Sequence, residues 1–122
     1  HLDVAHNVAF GLHDSTWGTP RDALNRAIAA LQARGLGHLA HRAPTSLSGG
    51  EAQKVAFVRL LVRAPQVWLL DEPLTNLDLV ARREVLAFLH ESNTSTAGAP
   101  AAVPRLVVVH DPRDALALAR RW

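Results

Sequence analysis

Three short stretches hold residues whose types and spacing could do chemistry on a phosphate. Asp71 and Glu72 stand directly after the apolar run Val67-Trp68-Leu69-Leu70. A carboxylate at the end of a buried strand, beside bound phosphates, can hold Mg2+ directly or through water. A second carboxylate one residue later points elsewhere and can polarise an attacking water. His110 follows another apolar run, Leu106 to Val109. Its imidazole could bond a phosphate oxygen or help place a water. The third stretch is Ser48-Gly49-Gly50-Glu51. Ser followed three residues later by Glu is a capping box, and the free N–H groups of a helix start favour an anion. Two glycines there leave the backbone bare to an approaching oxygen. Each stretch also has a plainer reading: a flexible turn with a good N-cap, an acidic turn before Pro73, a packed or capping histidine.

These residues must be positioned by elements that the sequence also marks. Thr19-Pro20 opens a helix, with Thr as N-cap, Pro in the first turn and Asp22 near the positive helix end. Leu24, Ile28 and Leu31 form its apolar stripe, and Gly35 can end it. The capping box predicts a second helix from about Gly49 to Arg63, stopped by Pro65. Val67 to Leu70 reads as a strand buried on both faces of a parallel sheet. Asp78 can cap a helix over Leu79 to Glu91, and Ser92 to Pro104 reads as a linker without periodicity. Leu106 to Val109 is a second buried strand, and Asp111-Pro112 opens a last helix. His1 to Leu12 is mixed and short, and His13 to Gly18 reads as a loop. Alternating helices and strands predict an α/β fold with a right-handed crossover between parallel strands. Ligands in such sheets bind beyond the C-terminal strand ends, where Asp71, Glu72 and His110 all fall.

Composition narrows the function classes. The 122 residues are 48% apolar and 20% charged with a formal net charge of +2, which fits one modest folded core. The basic residues are scattered rather than striped along the chain, which argues against nucleic-acid binding. No apolar run is long enough to span a bilayer, and the absence of cysteine leaves no disulfide framework. His38 and His41 lie at helical spacing, but no Cys or carboxylate close in sequence completes a metal set. These two and the remaining histidines, 1, 6, 13 and 90, read as surface positions.

The order of these stretches carries more than any one of them. Leu47-Ser48-Gly49-Gly50-Glu51 resembles the signature motif of the ATP-binding cassette (ABC) family. Val67 to Glu72 resembles its Walker B strand with the catalytic glutamate, Leu74-Thr75-Asn76-Leu77-Asp78 its D-loop, and Val107 to Asp111 its switch-histidine loop. His1-Leu2-Asp3-Val4 through Asn7-Val8-Ala9-Phe10-Gly11-Leu12 is similar to the stretch just after the Q-loop of bacterial solute importers. The departures are small: Glu51 where Gln is commoner, Lys54 for a usual Arg, Thr75-Asn76 where Ser-Ala is frequent, and Val109 where Thr or Ser often precedes the histidine.

The resemblance implies a P-loop NTPase-like parallel-sheet core, partial here, with an α-helical signature subdomain. Residues 1–66 would be that subdomain and 67–122 the partial catalytic core. Asp71 would coordinate Mg2+, Glu72 would be general base, and His110 would contact the γ-phosphate of ATP. Ser48, Gly49 and Gly50, with Glu51 completing the motif, would bind ATP held by a second ATPase subunit in a head-to-tail dimer. Asp78 would lie at that interface. The implied partners are transmembrane permease subunits, the implied place the cytoplasmic face of a bacterial membrane. Alternatives are a non-transport ABC ATPase and a non-catalytic remnant. No Gly-rich loop ending in Lys-Ser or Lys-Thr is present, and the only lysine is Lys54. With no Met and His1 first, the sequence is read as the C-terminal portion of such an ATPase, without its Walker A and Q-loop segments. Taken alone it is expected to hydrolyse no ATP and to expose apolar sheet surface.

Overall fold

A computed structural model describes residues 2–12, 18–91 and 104–119. The chain divides into two compact units, His1–Ala64 and Pro65–Trp122.

The first unit is helical. Helix α1 (Val4–Ala9) starts at Asp3, whose side chain accepts the N–H of His6. The mixed reading of the first twelve residues missed this helix. Val4, Val8 and Leu12, spaced by four and all buried, were its signal. Helix α2 (Pro20–Ala33) opens on Thr19 with a full capping box, Asp22 at its third position returning a bond to the Thr19 N–H. Gly35 ends it at φ 70°, a value glycine adopts without strain. There Leu36 N–H reaches Leu31 O at 2.8 Å and Gly35 N–H reaches Gln32 O at 3.0 Å, the paired bonds of a Schellman terminus. Helix α3 (Gly49–Leu61) begins at the Ser48 cap. Val4, Val8, Ala27, Leu31, Leu39, Phe57 and Val58 are the unit's closed core.

The second unit runs β1 (Trp68–Asp71), α4 (Leu79–Glu91), β2 (Arg105–Val108) and α5 (Pro112–Ala119). The strands pair in parallel, with Trp68 opposite Arg105 and Asp71 opposite Val108. This is the α/β arrangement with a parallel sheet that the sequence predicts. The reading of Ser92 to Pro104 as a linker lies, apart from Pro104, outside the described residues, as does that of His13 to Gly18 apart from Gly18. Asp78 does cap α4, accepting the Ala81 N–H at 2.8 Å.

One expectation is corrected. The strands were read as buried on both faces, yet burial alternates along β1: Trp68 and Leu70 are buried, Leu69 is 70% exposed. Leu106 and Val108 on β2 are exposed as well. Side chains on a strand alternate faces, and among the described residues only one face of this two-stranded sheet is covered. On the covered face the Arg105 guanidinium stacks 4.3 Å above the Trp68 ring and donates to Leu89 O at 3.0 Å. Burial pushes Arg105 below the ordinary arginine value. The helices α4 and α5 are joined by an ion pair, Arg82 to Asp114 at 2.9 Å, with Asp114 buried.

Candidate functional site

The parallel register decides what meets at the C-terminal end of the sheet. Because Asp71 lies opposite Val108, the residues just beyond both strands arrive at the same level. Glu72 N–H still donates to Val108 O at 2.8 Å, so its backbone is fixed to β2 before the chain turns away. It then turns sharply: Glu72 has φ 44°, in the left-handed region that residues with a Cβ rarely adopt. Thr75 N–H closes the turn on Glu72 O at 3.1 Å, and buried Pro73 and Leu74 anchor it. A non-glycine residue in this conformation is a frequent mark of a functional position.

The Glu72 carboxylate is held from two sides. His110 Nε2 lies 2.9 Å from Glu72 Oε1. The Thr75 hydroxyl donates to Glu72 Oε2 at 2.8 Å. The glutamate and histidine singled out from sequence, 38 positions apart, are thus in direct contact at the strand ends. His110 is 83% exposed and Glu72 one-third exposed at the side chain, so both face accessible space. Asp71, the last residue of β1, is exposed on the same sheet face as Leu69. Its oxygens suit a hard cation such as Mg2+, which takes one or two protein carboxylates and fills its shell with phosphate oxygens and water. Among the described residues no group of three or more His, Asp or Glu is placed to hold a metal by itself.

In the first unit, the Ser48 cap is complete. Glu51 N–H donates to Ser48 Oγ at 3.3 Å and Ser48 N–H to Glu51 Oε2 at 2.8 Å. The hydrogen bonds from Ser48 hold the Glu51 carboxyl below the ordinary glutamate value. Its other oxygen faces Arg42 at 3.7 Å. Glu51 is therefore occupied in shaping the helix start, while Ser48 and Gly49 are exposed beside it. The first-turn N–H groups of Gly49 and Gly50 have no acceptor inside a helix, and they lie at its positive end. Asp78 is exposed, but its carboxylate caps α4.

Two relations escaped the sequence. Thr75 bonds the glutamate through a turn whose left-handed start no pattern of residue types announces. His41 does find a carboxylate: Asp3, distant in sequence, lies 3.3 Å from its Nδ1 and 2.6 Å from that of His6. Burial acts to raise the Asp3 carboxyl, but hydrogen bonds from His6 and His41 hold it below its ordinary value. His90, read as a surface residue, is half-buried on α4.

Comparison with known proteins bears on this geometry. Residues 1–75 match the family described as ABC transporter. The chain is 43% identical over 118 residues to the Fe(3+) ions import ATP-binding protein FbpC of Brucella melitensis, covering 97% of this chain and 32% of that one. It is 40% identical over 119 residues to the molybdenum import ATP-binding protein ModC of Methylococcus capsulatus, covering 98% and 31%. Against the sn-glycerol-3-phosphate import ATP-binding protein UgpC of Chromohalobacter salexigens the identity is 38% over 122 residues, covering 99% and 31%. A solved structure of an inward-facing ABC transporter of metal-chelate type superposes with a TM-score of 0.77 at 31% identity, over 96% of this chain and 46% of that one. The chain thus spans about a third of the length of the curated relatives it matches.

Proposed function

The chain belongs to the ABC transporter family, and from that premise we propose that it forms part of the ATP-hydrolysing subunit of a bacterial solute importer. The observation that carries this reading is the 2.9 Å contact between Glu72 and His110 at the C-terminal end of two parallel strands. That is where an α/β sheet places its ligand, and there a carboxylate can take a proton from water while the imidazole beside it reaches a phosphate oxygen.

In this reading Glu72 accepts a proton as water oxygen attacks the γ-phosphorus of ATP. The bond from that phosphorus to the β,γ-bridging oxygen breaks, leaving ADP and inorganic phosphate. His110, which rests against Glu72 Oε1 in this structure, turns to donate a hydrogen bond to the γ-phosphate when ATP is bound. Asp71 would hold Mg2+, which would supply charge neutralisation on the phosphates. Ser48 and the first-turn N–H groups of exposed Gly49 and buried Gly50 take the γ-phosphate of ATP bound on a second subunit, with Glu51 locking the turn. Asp78 stands at the dimer interface. The permease subunits would hold the assembly at the cytoplasmic face of the membrane. Among the described residues no helix is long and apolar enough to cross it.

Relatives named for iron, molybdenum and glycerol-3-phosphate import are 38% to 43% identical to this same stretch. Such indifference to solute is expected of a module that contacts nucleotide, so solute choice would rest with the membrane partners. The test is steady-state phosphate release by the full-length protein that carries these residues. Glu72→Gln should lower kcat about 100-fold or more with the KM for ATP little changed. Undiminished kcat in that variant would remove Glu72 as the base. Residues 1–122 alone, holding no Lys-Ser or Lys-Thr phosphate loop, should release no phosphate from ATP.

A further inference from the structure

The geometry points to Thr75 as a positioning residue for the reaction, acting through the Glu72 carboxylate. This rests on the reading of Glu72 as general base. The carboxyl group of a glutamate turns about a broad, two-fold terminal torsion, so nothing in the side chain itself fixes where its lone pairs aim. Here both oxygens are held. Oε1 meets His110 Nε2 at 2.9 Å and Oε2 accepts from the Thr75 hydroxyl at 2.8 Å. The two restraints come from different segments, one from beyond β2 and one from the glutamate's own turn.

They also differ in kind. His110 is 83% exposed and projects from a loop. If it leaves Oε1 to bond a phosphate, it no longer restrains the carboxylate. Thr75 is tied to Glu72 through the backbone as well, its N–H donating to Glu72 O at 3.1 Å across a turn anchored by buried Pro73 and Leu74. With that backbone bond in place the hydroxyl lies within reach of Oε2 and donates to it at 2.8 Å. Each carboxylate oxygen accepts two hydrogen bonds, which leaves the base free to accept from a water while it is held. Thr75 thus keeps the base in one orientation through the step in which His110 turns to substrate.

The experiment compares Thr75→Val, which keeps shape and loses the hydroxyl, with Thr75→Ser, which keeps the hydroxyl. Both are made in the full-length protein, with phosphate release followed across ATP concentration. Thr75→Val should lower kcat about tenfold, a misaligned-base effect, with the KM for ATP within about twofold. Thr75→Ser should return kcat to within about twofold of the parent. Thr75 is exposed, so neither change disturbs a packed core, and Thr75→Ala is the second removal should the valine variant not fold. Adding Thr75→Val to Glu72→Gln should cost nothing further, because a residue that acts only through the carboxylate has nothing left to position. Wild-type kcat in Thr75→Val with Glu72→Gln inactive would overturn the role of Thr75 and leave the base intact. Equal losses in the valine and serine variants, or a raised KM with kcat kept, would overturn it too. Full activity in Glu72→Gln would instead bring down the base itself.

Discussion

Replacing Asp114 by Asn, Arg82 by Met, and both together tests how the second unit is held. The Arg82 and Asp114 side chains meet at 2.9 Å, and their exposures are 29% and 9%. At that separation and an effective dielectric of about 20 the gross attraction is about 6 kcal/mol. Taking the carboxylate out of water consumes most of it, and the partly exposed arginine is screened. The expected coupling from the double-mutant cycle is therefore about 1.5 to 2 kcal/mol, and Asp114→Asn alone should cost about 2 to 3 kcal/mol, since it leaves a cation opposite a neutral group. Urea unfolding of the four proteins, read by far-UV circular dichroism, gives the cycle directly. Repeating it in 1 M salt separates the alternatives, because a surface pair fades under screening while a desolvated one persists. A coupling below about 0.5 kcal/mol at low salt would show that burial of Asp114 does not translate into a linked α4 and α5, and the reasoning would fail.

Three further expectations concern the first unit and the open sheet face. Ser48→Ala removes the side-chain acceptor of the α3 cap and should cost about 1 kcal/mol, with Ser48→Gly closer to neutral; a midpoint of urea unfolding unmoved by the alanine would contradict the cap. Glu51 and Asp22 are each held below their ordinary values by hydrogen bonds from their cap residues, Ser48 and Thr19. A depressed carboxylate contributes its stability above the unfolded-state value, 4.5 for Glu51 and 3.8 for Asp22, and loses it as pH falls through the lower folded value. The thermal midpoint should thus fall from about pH 4.5 downward, less steeply in Glu51→Gln, and equal slopes in the two proteins would count against the cap as the source. Leu69 and Leu106 stand opposite each other on the uncovered sheet face, 70% and 62% exposed. Changing both to Thr should slow aggregation of residues 1–122 in light scattering while leaving the unfolding midpoint in place, and unchanged scattering would mean association runs through another surface.

Much of this fold and site is legible in the amino-acid sequence. The helix starts at Thr19, Ser48 and Asp78 were announced by side chains that cap through one or two local hydrogen bonds, so a few adjacent letters specify them. Asp71, Glu72 and His110 were legible for a related reason: a short apolar run ending in a polar residue defines a strand end, and parallel strands bring their ends together. The face each strand buries was not legible. Leu69 and Trp68 are both core-forming residue types, and which one is covered depends on what packs above the sheet. Nor was the bridge from Thr75 to Glu72, because it depends on a left-handed residue that only tertiary packing stabilises. Asp3 was missed as the partner of His41 since their meeting depends on the fold of the whole first unit.

The bend at Glu72 has a bearing on how such a chain changes over time. Holding a residue with a Cβ at φ 44° costs about 1 kcal/mol that a glycine would not incur. Glycine would in turn loosen the unfolded chain by a roughly similar amount. The part-exposed contacts to His110 and Thr75 weigh little in that balance. Folding is thus nearly indifferent between glutamate and glycine here. Drift alone would be free to erase the side chain, and a lineage released from turning over nucleotide could discard it without folding any worse. Position 72 is accordingly where disuse would register early, well before the packed positions such as Leu74 or Leu89 showed any trace of it.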